Sequence, residues 1–429
     1  MAKKKQKAES VWVTDPSTAF DGLLSGIRHR VATATKREQV AFCGSSGMPV
    51  VGIPLPHLAQ RVLFMSDVYP CGRIVQLTGE EGAGKTPMVY ELCKLHLEAG
   101  GGATHNQNEA KDQPELREMM MMHNQQLLNR LTVEHTRSVE DWMEVTTATI
   151  QAIQAAVKDA DGPGRAFPYI ITVDSIMGTA ARAQIAGIMK TGHASKAYAE
   201  EANIISKYMA CIPALLDAHP VSIVGTNHLK PGRDERGNVT YNSPGGKSVK
   251  FMESYEFRVV RGPDIRLVSM QGMNVKILVQ KNSLAPSRYW VNLRLRWRYE
   301  NDKQYMWWDW GYNSMEYLVR LADDDSTRSL YNRINEVLEL RDARVTGEGS
   351  VSSAPLGIPR DSPATFAEAA LAFERSGELK KEVHRLLGIH ERVALRPGID
   401  YRTQVARAAA ELAAAEPPLP PPTDVTEGD

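Results

Sequence analysis

The octapeptide Gly79-Glu80-Glu81-Gly82-Ala83-Gly84-Lys85-Thr86 limits the possible fold more than any other stretch of the chain. Its GxxxxGK[ST] spacing follows an apolar run and precedes a helical one, so it reads as strand, glycine-rich turn and helix in succession. Glycines let backbone amides close around phosphate oxygens, and the helix start adds the positive end of its dipole. Lys85 then reaches the β- and γ-phosphates while the Thr86 hydroxyl ligates magnesium. Residues 79–86 are therefore expected to bind phosphate, with Mg2+ at Thr86. Pro87 fits the first helical turn, which has no intrahelical use for the missing N–H.

Around this motif, from residue 73 to about 321, short Val- and Ile-rich runs alternate with helical stretches. That is the pattern of an α/β domain with a largely parallel sheet. Strands are clearest at residues 73–78, Tyr169–Asp174 and 221–226. Three more, at 256–260, 275–280 and 289–297, follow without intervening helices and predict an antiparallel extension of the sheet. The expected organisation is an N-terminal arm over residues 1–50, with a short helix near 19–32, and a core over 51–325. A helix (326–345), a Gly/Ser/Pro-rich linker (346–362) and a small helical C-terminal region (363–415) follow. The Pro-rich, acidic tail 416–429 carries too little apolar surface to order itself.

Basic and acidic residues balance at 51 each, so any nucleic-acid contact has to come from local patches rather than bulk charge. No apolar run approaches the roughly 18 residues a membrane helix needs, and no secretory leader is legible, so no membrane partner is expected. Cys43, Cys71, Cys93 and Cys211 show no CxxC spacing, which argues against zinc or a disulfide framework and fits free, buried thiols in a reducing cytoplasm.

Tyr169-Ile170-Ile171-Thr172-Val173-Asp174 is an apolar run ending in a carboxylate, as expected of a buried parallel strand whose C-terminal edge faces a nucleotide. Asp174 would hold magnesium through water. Further motifs follow in order: Cys71-Gly72-Arg73-Ile74-Val75 before the glycine-rich turn, Val173-Asp174-Ser175, and Thr226-Asn227-His228 closing the next apolar strand. Then come Pro244-Gly245-Gly246-Lys247-Ser248-Val249-Lys250-Phe251 and Val279-Gln280-Lys281-Asn282-Ser283-Leu284-Ala285-Pro286. Over roughly residues 53–297 this series resembles the RecA family of strand-exchange recombinases. The Asn227-His228 pair is similar to that of phage recombinases of the UvsX type, which implies a phage origin and the cytoplasm of a host.

The resemblance implies a RecA-like P-loop ATPase core and a set of roles. Glu109 would position and deprotonate the attacking water, with Glu115 as the alternative. Asn227 and His228 would sit beside the γ-phosphate, and Lys281 would reach the γ-phosphate of a neighbouring subunit. Ser283 stands where the family carries a second cation. His228 also brings a side chain type that titrates near neutrality, so ATPase activity is expected to depend more steeply on pH than with glutamine there. Two DNA-binding loops are expected: residues 184–198 with Met189, Lys190 and Lys196, and residues 229–246 with Lys230, Arg233, Arg236 and Tyr241, followed by Lys247. Met119–Met122 is expected to pack in the core or at an interface, and Trp307, Trp308 and Trp310 to pack the outer sheet edge. The implied function is an ATP-dependent recombinase: a homo-oligomeric helical filament on single-stranded DNA that pairs it with double-stranded DNA. Two alternatives share the core, a hexameric DNA helicase and a non-catalytic ATP-binding mediator.

Overall fold

The computed structural model describes residues 50–109, 114–159, 167–191, 198–216, 220–233, 239–242, 246–266, 271–323, 344–345, 351–352, 373–396, 403–408 and 411. Val50–Ala406 forms one compact unit; residues 1–49, and 407–429 apart from 407, 408 and 411, lie outside the described residues. The expected helix near 19–32, most of the 326–345 helix and the 416–429 tail therefore lie outside them too.

Among the described residues the main sheet has nine strands. In spatial order they are Lys303–Trp308, Tyr289–Glu300, Gln271–Asn282, Tyr255–Arg266, Ile74–Gly79, Val221–His228, Tyr169–Asp174, Gly102–Gln107 and Leu131–His135. β3 (Ile74–Gly79), β4 (Gly102–Gln107), β5 (Leu131–His135), β6 (Tyr169–Asp174) and β7 (Val221–His228) run parallel with the start of β10 (Tyr255–Arg266). β11 (Gln271–Asn282), β12 (Tyr289–Glu300) and β13 (Lys303–Trp308) extend it antiparallel. The alternation of side chains sorts the parallel strands onto two cores. Val75, Leu77, Ile170 and Val224 join one with the helix Lys85–Glu98 (α2), whereas Ile74, Ile171, Val173 and Ile223 join the other with Val139–Asp159 (α4) and Tyr198–Leu216 (α6). Helices on both faces of a parallel sheet make this a mixed α/β fold, as the sequence pattern predicted.

Before β3, residues 51–70 form β1 (Val51–Pro54), α1 (Leu58–Phe64) and β2 (Val68–Pro70), and α1 is buried at all seven positions. Phe64 at its end meets Tyr69, Tyr255 and Phe257 edge-on, with centroids 5.1–5.4 Å apart. Nothing in the Gly- and Pro-punctuated sequence signals so short a helix, because burial rather than periodicity holds it. Further on, Val393–Ala394 pairs parallel with β1, and Arg61 of α1 contacts Glu374 at 2.7 Å. Met120 and Met121, at the end of α3 (Pro114–Met120), are fully buried, whereas Met122 is exposed. Cys71 and Cys93 are buried free thiols pushed up to about 12 by burial, but Cys211 is exposed on α6. No described helix is long and apolar enough to cross a membrane.

Candidate nucleotide site

Strand register brings four chain segments to one edge of the sheet. Gly79 at the end of β3 lies opposite His228 at the end of β7, and Gln107 at the end of β4 lies opposite Asp174 at the end of β6. These are the carboxyl ends of parallel strands, where open α/β sheets bind ligands. A cleft of about 260 Å³ opens there, lined by Glu81, Gly82, Gly84, Lys85, Thr86, Pro87, Tyr90, Gln107, Glu109, Leu116, Asp174 and His228.

The turn from Gly79 to Gly84 is built by glycine. Gly82 and Gly84 take φ of +70° and +103°, a region L side chains rarely adopt. At Gly84 a Cβ would also stand 3.1 Å from Met273 Cε, with the Trp308 ring 3.5 Å away. Trp308 is buried, and its Nε1 donates to the Pro87 carbonyl at 3.2 Å. It packs beneath the glycine-rich turn from β13, the edge strand of the sheet, because alternation along that strand turns it inward. Trp310 is likewise buried, donating to Glu91 of α2 at 2.6 Å.

Lys85 Nζ donates to the carbonyls of Gly79 at 2.9 Å and Glu80 at 2.8 Å, which holds its charge over the turn. Thr86 Oγ1 donates to Asp174 Oδ2 at 2.7 Å, and Thr226 Oγ1 donates to Asp174 Oδ1. A hydroxyl beside a carboxylate is a hard-oxygen pair suited to Mg2+, which keeps waters and shares phosphate oxygens for its remaining ligands. The glycine cradle, the lysine and this oxygen pair fit a magnesium-bound nucleoside triphosphate.

Glu109, the expected water-positioning carboxylate, does reach the cleft. Its Oε1 lies 2.7 Å from His228 Nε2 and accepts from Ser175 Oγ at 3.0 Å. Glu115 instead lies exposed on α3, outside the lining. Asn227 is fully buried and does not line the cleft; Thr226 and His228 face the site from β7, so strand alternation turns Asn227 to the opposite face. Three contributors went unassigned in the sequence: Ser175, Thr226 and Gln107. Their signal was positional: Gln107 ends β4, Ser175 follows the end of β6, and Thr226 lies two residues before the end of β7, all strands that end at the cleft.

Lys281, at the end of β11, stands outside the cleft lining. Its Nζ donates to the carbonyls of Lys250 and, at 3.4 Å, Phe251 at the end of α7 (Gly246–Met252). Met189 and Lys190 are exposed, but on a helix, α5 (Arg182–Thr191), rather than in the expected loop. Arg182 anchors the start of that helix through 2.6 Å contacts to Asp141 and Glu144 of α4. The second expected loop is a two-stranded ribbon in which Lys230–Arg233 (β8) pairs with Val239–Asn242 (β9), so Lys230, Arg233 and Tyr241 ride on paired backbone. Lys247 lies within α7, while Lys196 and Arg236 are outside the described residues.

No protein-family model matches the chain. Among curated proteins it is 24% identical over 245 residues to protein RecA of Oceanobacillus iheyensis, covering 57% of this chain and 65% of that one. Against protein RecA of Enterococcus faecalis the identity is 23% over 236 residues, covering 54% and 62%. Against protein RecA of Synechocystis it is 26% over 223 residues, covering 51% and 56%. The chain thus spans less than two thirds of the length of these relatives. These similarities support a relationship to the RecA family, and the mixed α/β architecture is consistent with a RecA-like core.

Proposed function

We propose that this chain is an ATP-dependent DNA recombinase that polymerises on single-stranded DNA and exchanges strands with a homologous duplex. The observation that carries this reading is the meeting of Glu109 and His228 with Lys85, Thr86 and Asp174 around one cleft, from four strand ends far apart in sequence. A bound Mg2+–ATP would supply the phosphoanhydride bond and the cation that neutralises charge developing on its cleavage. Lys85 and the turn 79–86 would hold the phosphates, and Thr86 with Asp174 the metal. The Glu109 carboxylate accepts the proton of the attacking water, and Ser175 and His228 fix where that carboxylate stands.

Lys281 acts in trans on this reading, since its amine caps the end of α7 outside its own cleft. The exposed face of α5 and the β8–β9 ribbon are the DNA contacts, and base pairing within the filament tests homology. The phage-type element of the reading rests on the Asn227-His228 pair alone.

Two measurements test the proposal. Imaging the protein on single-stranded DNA with magnesium and a slowly hydrolysed ATP analogue is expected to give continuous helical filaments; closed rings would move the assignment to a hexameric helicase. Glu109→Gln is expected to lower DNA-stimulated ATP hydrolysis by about 100-fold or more with nucleotide affinity retained. Unchanged hydrolysis would remove Glu109 from the mechanism, and a wild-type protein without hydrolysis would favour a non-catalytic mediator.

A further inference from the structure

The strand that delivers Glu109 is polar where a buried parallel strand is ordinarily apolar. β4 ends His105-Asn106-Gln107, Asn108 follows, and the first three side chains are buried between β5 and β6. Their contacts are ordered in one direction. His105 Nδ1 lies 2.7 Å from Thr172 Oγ1, His105 Nε2 lies 2.8 Å from Gln107 Oε1, and Gln107 Nε2 donates to the Glu109 carbonyl at 3.0 Å.

Because the Gln107 amide oxygen only accepts, the proton of a neutral His105 sits on Nε2, and Nδ1 accepts from the Thr172 hydroxyl, whose contact to His105 at 2.7 Å is shorter than its other contact, 3.4 Å to the Thr104 carbonyl. On the other side, Asn108 Nδ2 donates to the Ser175 carbonyl at 2.7 Å while its Oδ1 accepts from Thr136 Oγ1. Ser175 Oγ in turn donates to Glu109 Oε1 at 3.0 Å. Tyr90, on the helix that carries Lys85 and Thr86, sets its ring 4.9 Å from His105. Gln107 and Tyr90 both line the cleft.

The geometry points to His105 and Gln107 as positioning residues for hydrolysis: a buried Thr172–His105–Gln107 relay that fixes the backbone of Glu109 and hence the aim of its carboxylate. This rests on Glu109 being the water-activating group. The relay has the character of the outer hydrogen bonds that orient groups in reactive centres, whose loss costs about 10- to 100-fold. A packing role alone is met by apolar residues, which leave no buried polar atoms to satisfy.

The test uses the full-length protein. Gln107→Leu removes both bonds of the central amide, and Gln107→Glu keeps an acceptor for His105 but loses the donor to Glu109. Both are expected to lower kcat of DNA-stimulated ATP hydrolysis by about tenfold or more with KM close to wild type, and to lower the thermal midpoint because each leaves a buried polar group without its partner. Without nucleotide, nitrogen NMR of histidine-labelled protein, assigned by His105→Phe, is expected to show the His105 proton on Nε2. Gln107→Glu should keep that signature and Gln107→Leu should lose it. A kcat within about twofold of wild type in Gln107→Leu would overturn the relay, as would a proton on Nδ1 with Nε2 bare, or a rise in KM with kcat unchanged. Glu109→Gln is the control: if it abolishes hydrolysis while Gln107→Leu does not, the relay alone falls, and if it stays active the relay falls together with the functional reading.

Discussion

At the residue scale, the placement of Glu109 depends on how little room surrounds it. A Cβ added at Gly178 would stand 2.6 Å from Ser175 Oγ and 3.3 Å from Glu109 Cγ, so glycine lets hydroxyl and carboxylate approach each other. Gly178→Ala has to push Ser175 aside and with it the donor that fixes Glu109. Steady-state kinetics are expected to show kcat of ATP hydrolysis reduced by about tenfold with KM nearly unchanged, because small displacements of a positioned group penalise the chemical step rather than binding. A fall in affinity alone would place the damage in the phosphate cradle instead.

Elements carry charges whose ionisation folding has altered. Burial first, and then the neighbouring Glu256, pushes the Glu253 carboxyl up to about 9, against the pull of Lys281 and Lys250. Glu253 sits between α7 and β10, so it joins the helix that ends the ribbon region to the edge of the parallel sheet. A carboxyl whose folded pKa is raised stabilises the fold below its unfolded pKa and loses that contribution as pH rises towards the folded value. Glu253→Gln is therefore expected to raise the thermal midpoint at about pH 8 and to change it little at about pH 4. His96 in α2 has the opposite sign of dependence: burial lowers it from 6.5 to about 4. Its contribution is complete above the unfolded value and is lost as pH falls through the folded one. Denaturant unfolding at about pH 7 and pH 4 should lose on the order of 3 kcal/mol through this group, a loss absent from His96→Leu.

For the whole molecule, the proposed filament makes catalysis a property of the joint between copies. Lys281 contributes nothing to the lining of its own cleft, and Lys85 is built into that cleft. Lys281→Ala and Lys85→Ala are each expected to be nearly inactive alone, yet an equimolar mixture should recover hydrolysis. A filament joint pairing an intact cleft with an intact Lys281 forms in about a quarter of random contacts. A mixture no more active than its parents would show that Lys281 acts within one subunit or not at all.

The glycine-rich turn, the apolar runs of β3, β6 and β7, and the antiparallel extension were legible because each is local: spacing within eight residues, or alternation and burial within one strand. The same locality made Lys85, Thr86 and Asp174 candidates from the sequence, whereas Glu109 followed from the family resemblance, with Glu115 as the alternative. What only the tertiary structure decided is what meets what. Strand register sets Gly79 beside His228 and Gln107 beside Asp174, and alternation takes Asn227 away while bringing Thr226 in. The inward turn of Trp308 and the burial of α1 depend on contacts across hundreds of residues, which no window of sequence contains. The polarity of β4 reads from sequence as a weakness in a strand, and becomes an ordered relay only because β6 lies alongside to satisfy it.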